Sequence, residues 1–343
     1  MKVDGILMVA ALPEMGARAA KMEALGYDAL YTPETQHDPF FPLVLAAEHT
    51  ERIDLGTAIA VAFPRSPMHL AHIGHDLQAY SKGRFILGLG SQIKAHIEKR
   101  FSATFSHPAA RMRELVLAAR AIWTCWEEDG PLRFEGEFYR HTLMTPFFNP
   151  GPTGYGPPRV FIAAVGERMT EVVGEVADGM FVHGFTTEKY LRETTLPALE
   201  RGLAKAGRSR ADVELSYPVF MVTGASDEEM ERGDTATRRQ IAFYGSTPAY
   251  RPVLEAHGWG ELGEELNALS KRGEWDEMGR RITDEVLDAF AVVGKPGELP
   301  GIVARRYGDL IDRVGFYAPY REDPEAWADV IDAFKATSTL PSR

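Results

Sequence analysis

The 343-residue chain sets 38 Lys plus Arg against 49 Asp plus Glu, a formal charge of −11, and is 45% hydrophobic and 25% charged. That balance is ordinary for a folded globular protein and excludes a disordered or fibrous chain, and no basic run is present to follow a nucleic-acid backbone. No apolar run approaches the ~18 residues of a membrane helix, the start from Met1 to Gly5 lacks signal-peptide regions, and the lone Cys125 cannot form an internal disulfide, so a cytoplasmic protein that does not span a membrane is expected.

Short apolar runs alternate with amphipathic stretches along the chain, the pattern of repeated βα units. The runs are 5–9, 28–32, 54–60, 85–89, 160–164, 179–183, 213–222 and 313–317. Their continuous or β-branched character suits strands covered on both faces, and eight is the number that closes a parallel barrel. The reading is a (β/α)8 TIM barrel forming one domain over 1–343, with insertions.

After the second run comes Thr32-Pro33-Glu34-Thr35-Gln36-His37-Asp38-Pro39. Polar side chains directly after an apolar strand stand where barrel enzymes keep acid and base groups. Asp38 before Pro39 also reads as a helix cap, whereas Glu34 and His37 are left for chemistry. On the next helix, His69, His72 and His75 recur every third residue. With Leu70, Ile73, Leu77 and Tyr80 as its core stripe, His72 and His75 point outward, to solvent or a subunit contact, and no metal site is expected.

Gly88-Leu89-Gly90 closes the fourth run, but Ile93 stands where a dinucleotide fingerprint needs a small residue. What remains is a strand end whose glycines suit a tight turn, followed by Ser91, Gln92 and Lys94. The apolar periodicity of Arg111 to Trp126 predicts a helix that packs Cys125 as a small hydrophobe. Residues 132–140 read as a hairpin around Gly136, and 145–158 as an irregular Pro/Gly-rich segment. The fifth run passes through Ala163, Ala164, Val165 and Gly166 into a helix opened by Glu167 and Arg168. Free amides at such a helix start, with an arginine nearby, are suited to hold phosphate. The sixth run ends at His183. Residues 226–294 are charged and mostly helical in pattern, a helical insertion before the last strand.

The ordered set Leu25-Gly26-Tyr27-Asp28-Ala29-Leu30, Ile53-Asp54-Leu55-Gly56-Thr57-Ala58-Ile59, Leu77 to Gly90 with Ser81-Lys82-Gly83-Arg84-Phe85, Ala163 to Gly179, and Gly294-Lys295-Pro296-Gly297-Glu298-Leu299 resembles the luciferase-like flavin and deazaflavin oxidoreductase family over nearly the whole chain. The resemblance is closer to its F420-dependent branch. It implies a barrel that binds coenzyme F420, or alternatively FMN, at the strand C-termini, and a cis peptide between Ala58 and Ile59 behind the ring. Gly90, Ser91, Gln92 and Lys94 match positions lining the coenzyme. Ala163, Ala164, Val165 and Gly166 match the segment beside the ring, and Glu167 and Arg168 the phosphate-binding helix. Thr35 stands where the family commonly has His after the acid, leaving His37 to substitute. Thr186 stands where a sugar-phosphate dehydrogenase of the family has Lys, which disfavours that substrate class.

The resemblance implies an oxidoreductase passing a hydride between F420 and a small organic substrate, with Glu34 or His37 moving the accompanying proton. An imidazole titrates near ~6.5 and favours His37. His183 is a tentative substrate contact, and a homodimer is expected. The alternatives are an FMN-dependent monooxygenase fed by a separate flavin reductase, and a coenzyme-binding protein without turnover.

Overall fold

The computed structural model describes residues 1–8, 11–321 and 323–338. Its strands in chain order are β1 (Lys2–Ile6), β2 (Ala29–Thr32), β3 (Asp54–Thr57), β4 (Ala60–Val61), β5 (Phe85–Gly90), β6 (Phe134–Glu135), β7 (Arg140–His141), β8 (Arg159–Ala164), β9 (Gly179–Val182), β10 (Glu214–Val222), β11 (Ala291–Val293) and β12 (Arg313–Tyr317). The chain has the (β/α)8 fold expected of its alternating pattern. It divides into two compact units, one of residues 5–181 and 198–214, the other of residues 1–4, 182–197 and 215 onward.

In the first unit β2, β3, β5 and β8 form a parallel ladder, with β4 pairing to the last two residues of β5. Every residue of β2 and β5 is buried, as a strand covered on both faces must be. The glycines of β5 serve close approach and not the tight turn expected of them. A Cβ on Gly88 would fall 1.7 Å from the Thr57 carbonyl oxygen, and one on Gly90 would fall 2.7 Å from Cγ1 and Cδ1 of Ile59. The expected hairpin is present as antiparallel β6 and β7.

The helix Pro108–Glu128 buries Met112, Leu115, Ile122, Trp123 and Trp126, and Trp123 Nε1 donates to the Ala71 carbonyl at 3.0 Å. The neighbouring helix Pro67–Tyr80 buries Leu70, Ala71, Gly74, Leu77 and Gln78 while Tyr80 is exposed. His72 and His75 are therefore not a bare outer face. His72 stacks on Trp126 at 5.1 Å, and His75 meets its edge at 5.4 Å. Cys125 is buried, and burial pushes its thiol above the usual range, as the packing role requires.

In the second unit β1 pairs with β12, β12 with β10 and β10 with β11, all parallel. β1 starts earlier than the apolar run 5–9 suggests. Its register sets Lys2 opposite Arg313 and Asp4 opposite Gly315, and Asp4 is buried against Arg313, with Oδ2 2.9 Å from Nε. Val9 lies outside the described residues, as does Ala10. The insertion is helical: Asp227–Gly245, Arg251–Glu255, Gly260–Arg272, Trp275–Arg280 and Asp284–Phe290 close over a core that includes Ile241, Leu254, Leu266, Met278 and Phe290. Its last residues, expected to remain in the insertion, are strand β11.

Candidate active site

Thr32 ends β2, and its hydroxyl donates to the Pro39 carbonyl at 2.7 Å, folding the polar segment back over the strand end. Asp38 does not cap the helix Phe41–His49. Its Oδ1 accepts from the Phe40 amide at 2.9 Å and its Oδ2 pairs with Arg65. The Glu34 side chain is only 6% exposed. Its Oε2 accepts from Arg65 Nη1 and from the Val61 amide, each at 2.7 Å, and its Oε1 accepts from Arg65 Nη2 at 3.1 Å. Arg65 also donates to the Val61 carbonyl and lies over the Phe40 ring. His37, by contrast, is exposed and has no hydrogen-bond partner among the described residues.

The Ala58–Ile59 peptide is cis, as the resemblance implies. The Glu34 amide donates to the Ile59 carbonyl at 3.2 Å and the Ala58 amide to the Thr32 carbonyl at 3.0 Å. Ala58, Ile59 and Glu34 thus join the end of β2 to β4, and Ile59 packs on Gly90. Beyond β5, Gln92 adopts a left-handed conformation with φ of 54°, and Lys94 is exposed and 3.8 Å from Glu98.

A cleft of about 630 Å³ opens between Ser91, the segment from Ala163 through Arg168, and the start of the helix Pro108–Glu128. Ala163, Val165, Gly166, Glu167, Arg168 and Ser91 are among its lining residues, whereas Ala58, Ile59, Gly90, Gln92, Lys94 and the buried Ala164 are not. Two helices start at this cleft, Pro108–Glu128 after His107 and Glu167–Val176 after Gly166, and neither has a side-chain cap. The amides of Ala109, Ala110, Glu167 and Arg168 have no acceptor among the described residues. The Glu167 carboxylate is turned to Arg201 at 2.6 Å, so the residue offers the cleft its amide. Arg168 is exposed with no ion pair among the described residues. Unpaired amides, two helix dipoles and a free guanidinium make an anion-receiving surface, beside the apolar Ala163, Val165, Pro108 and Met169. Sequence reading found the Arg168 side of this cleft and missed His107, Ala109 and Ala110. Their one signal, the His107-Pro108 helix start, lies far from Arg168 along the chain.

In the other unit His183, the residue after β9, is half-buried with both ring nitrogens engaged. The Phe185 amide donates to Nδ1 at 3.0 Å, and Nε2 lies 3.1 Å from the Tyr250 hydroxyl. Its ring stacks on Tyr250 at 4.5 Å. Burial alone lowers its pKa to about 4, so it stays neutral. Among the described residues no cluster of side chains suits a metal ion, and no helix is long and apolar enough to cross a membrane.

Fold and site together define a (β/α)8 protein with a cleft lined by helix-start amides, an arginine and apolar side chains. The chain belongs to the luciferase-like monooxygenase family, whose model matches residues 2–312. It is 57% identical over 318 residues, 92% of each chain, to the uncharacterized protein Rv1360 of Mycobacterium tuberculosis. It is 29% identical over 320 residues, 87% of this chain and 86% of the relative, to the F420-dependent glucose-6-phosphate dehydrogenase of Intrasporangium calvum. Among solved structures it superposes with a TM-score of 0.80 on the coenzyme F420 dependent tetrahydromethanopterin reductase from Methanopyrus kandleri, at 20% identity and covering 98% of this chain and 99% of that one.

Proposed function

We propose that the protein is an F420-dependent oxidoreductase that moves a hydride between the deazaflavin and a small organic substrate. The observation that carries this reading is the cleft where Arg168 and the amides of Ala109, Ala110, Glu167 and Arg168 stand without partners among the described residues. Its volume falls in the ~300–1,000 Å³ range of coenzyme and ligand sites, and its donors match a phosphate beside a flat apolar body. The F420-dependent relatives favour the deazaflavin over FMN.

When bound, the coenzyme supplies the hydride donor or acceptor. The protein's residues supply position and proton. Arg168 and the helix-start amides hold the phosphate, while Ala163 and Val165 offer an apolar edge to the ring. Glu34, spent on Arg65 and Val61, fixes β4 against the end of β2. The exposed His37 imidazole gives or takes the proton. In keeping with the family resemblance, the protein works as a homodimer.

Fluorescence titration of the purified protein with F420 and, separately, FMN tests this. Micromolar or tighter F420 binding with negligible FMN binding is expected. The reverse preference would make the protein the oxygenating component of a two-component FMN monooxygenase, and binding of neither would sink the coenzyme reading. Tight F420 binding with no redox change over a broad substrate panel would point to a binding protein without turnover.

A further inference from the structure

His107 lines the same cleft as Ala109, Ala110 and Arg168. It is exposed, its ring lies 5.7 Å from the Phe138 ring, and its two nitrogens have no hydrogen-bond partner among the described residues. Histidine is an unexpected residue for this place. It precedes the helix Pro108–Glu128 in a left-handed conformation with φ of 42°, which Gly or Asn adopts with less strain, and Ser, Thr, Asp or Asn would bond the helix amides as His107 does not. What histidine adds here is an imidazole beside unpaired amides and a guanidinium. At the other helix start the cleft has room for a ligand, since a Cβ on Gly166 would meet nothing within 4 Å.

On the helix that follows His107, Arg111 donates to the Thr104 carbonyl at 2.6 Å and to the Tyr139 hydroxyl at 3.0 Å, and Glu114 accepts from the amides of Glu137, Phe138 and Tyr139. On the hairpin, burial pushes the Tyr139 phenol above its usual range, and Glu137 is exposed. Across the cleft Glu167 is turned to Arg201, and Arg168 is a permanent cation. Of these side-chain types, imidazole is the one that ordinarily changes charge between pH 5 and 8. An anion favours the charged form of a neighbouring base, and by reciprocity the charged base favours the anion. We propose that His107 is the second side-chain ligand of the anion in this cleft, and that anion binding there takes up a proton on its imidazole. This rests on the cleft being the phosphate end of a coenzyme site and adds a proton-linked grip, which tightens as pH falls and relaxes as pH rises.

Sulfate, whose charge is constant between pH 5.5 and 8, is the probe. NMR titration of the full-length protein with sodium sulfate, against sodium chloride at matched ionic strength, follows the His107 ring, assigned by its absence from His107→Gln. Its titration midpoint should move to higher pH in sulfate and not in chloride. The wild-type sulfate dissociation constant should be roughly tenfold larger at pH 8 than at pH 5.5, about the worth of one hydrogen bond from a charged donor. His107→Gln should bind sulfate weakly at both pH values, His107→Arg should bind it tightly at both, and Arg168→Ala should weaken it at both while keeping the slope. The same slope in His107→Gln, a His107 midpoint unmoved by bound sulfate, or no sulfate binding at all would overturn the proposal. F420, titrated separately, tells its failure from that of the coenzyme reading. Proton-linked sulfate binding without F420 binding would sink the coenzyme reading alone, and F420 binding with sulfate affinity independent of His107 would sink this one alone.

Discussion

Arg65 holds both oxygens of the Glu34 carboxylate, and the Val61 amide shares one of them. This carboxylate is committed to shaping the chain between β2 and β4. Arg65→Ala leaves it buried with one backbone partner, and a loss of about 3 kcal/mol in urea unfolding is expected. Glu34→Gln should lower stability and coenzyme affinity together. If it instead cut turnover with stability and affinity intact, Glu34 would be the proton carrier.

In the proposed function His37 carries that assignment. His37→Ala should lower turnover by roughly 10²-fold or more, the usual worth of a general acid or base, while F420 titrates as in wild type. Steady-state rates against F420 affinity provide the check, and unchanged turnover would remove His37 from the chemistry.

Arg168→Ala should weaken F420 about 10- to 100-fold, as expected on losing a hydrogen bond from a charged donor. Arg168→Lys should keep part of the affinity, and the wild-type dissociation constant should rise with added salt. The readout is fluorescence titration at two ionic strengths.

The buried pair of Asp4 and Arg313, to which Ser216 donates a further bond at 2.7 Å, makes a stability prediction at the other strand ends. Asp4→Ala strands a buried guanidinium and should cost about 3 to 5 kcal/mol. The double variant Asp4→Leu with Arg313→Met should recover much of that in chemical denaturation.

His183 sets a pH dependence. Its folded pKa, near 4, lies below the ~6.5 of an exposed imidazole. The unfolded chain therefore takes up a proton that the folded chain refuses. This contribution, about 3 kcal/mol, is fully present above pH ~6.5 and is lost as pH falls toward 4. His183→Gln should flatten the stability profile across that window, measured by urea midpoints at successive pH values.

Much of this architecture was legible because buried parallel strands are written as unbroken apolar runs, and β2, β5 and β8 are such runs. β1 was not, because its place is fixed by a polar residue: Asp4 is buried only because Arg313 meets it there, so the apolar run that follows drew the reading too far along the chain. β11 is three residues long and follows a helix without a turn signal. The cleft was half legible. Arg168 announces itself at the end of a strand, whereas Ala109 and Ala110 contribute only backbone amides, and an amide looks the same in every residue except proline. The link between Glu34 and Arg65 spans the helix Phe41–His49 and the strands β3 and β4, a distance over which charge pairing leaves no periodic trace.

Four helices bring their own first hydrogen-bond acceptor: Ser66, Thr187, Ser226 and Thr283 each turn a hydroxyl to the amide of a residue three further on. The helices after His107 and Gly166 bring none. An anion seated between them would be to these two helices what serine and threonine are to those four, an N-cap supplied from outside the covalent chain. In that sense the last residue of the fold is one that ribosomes do not add.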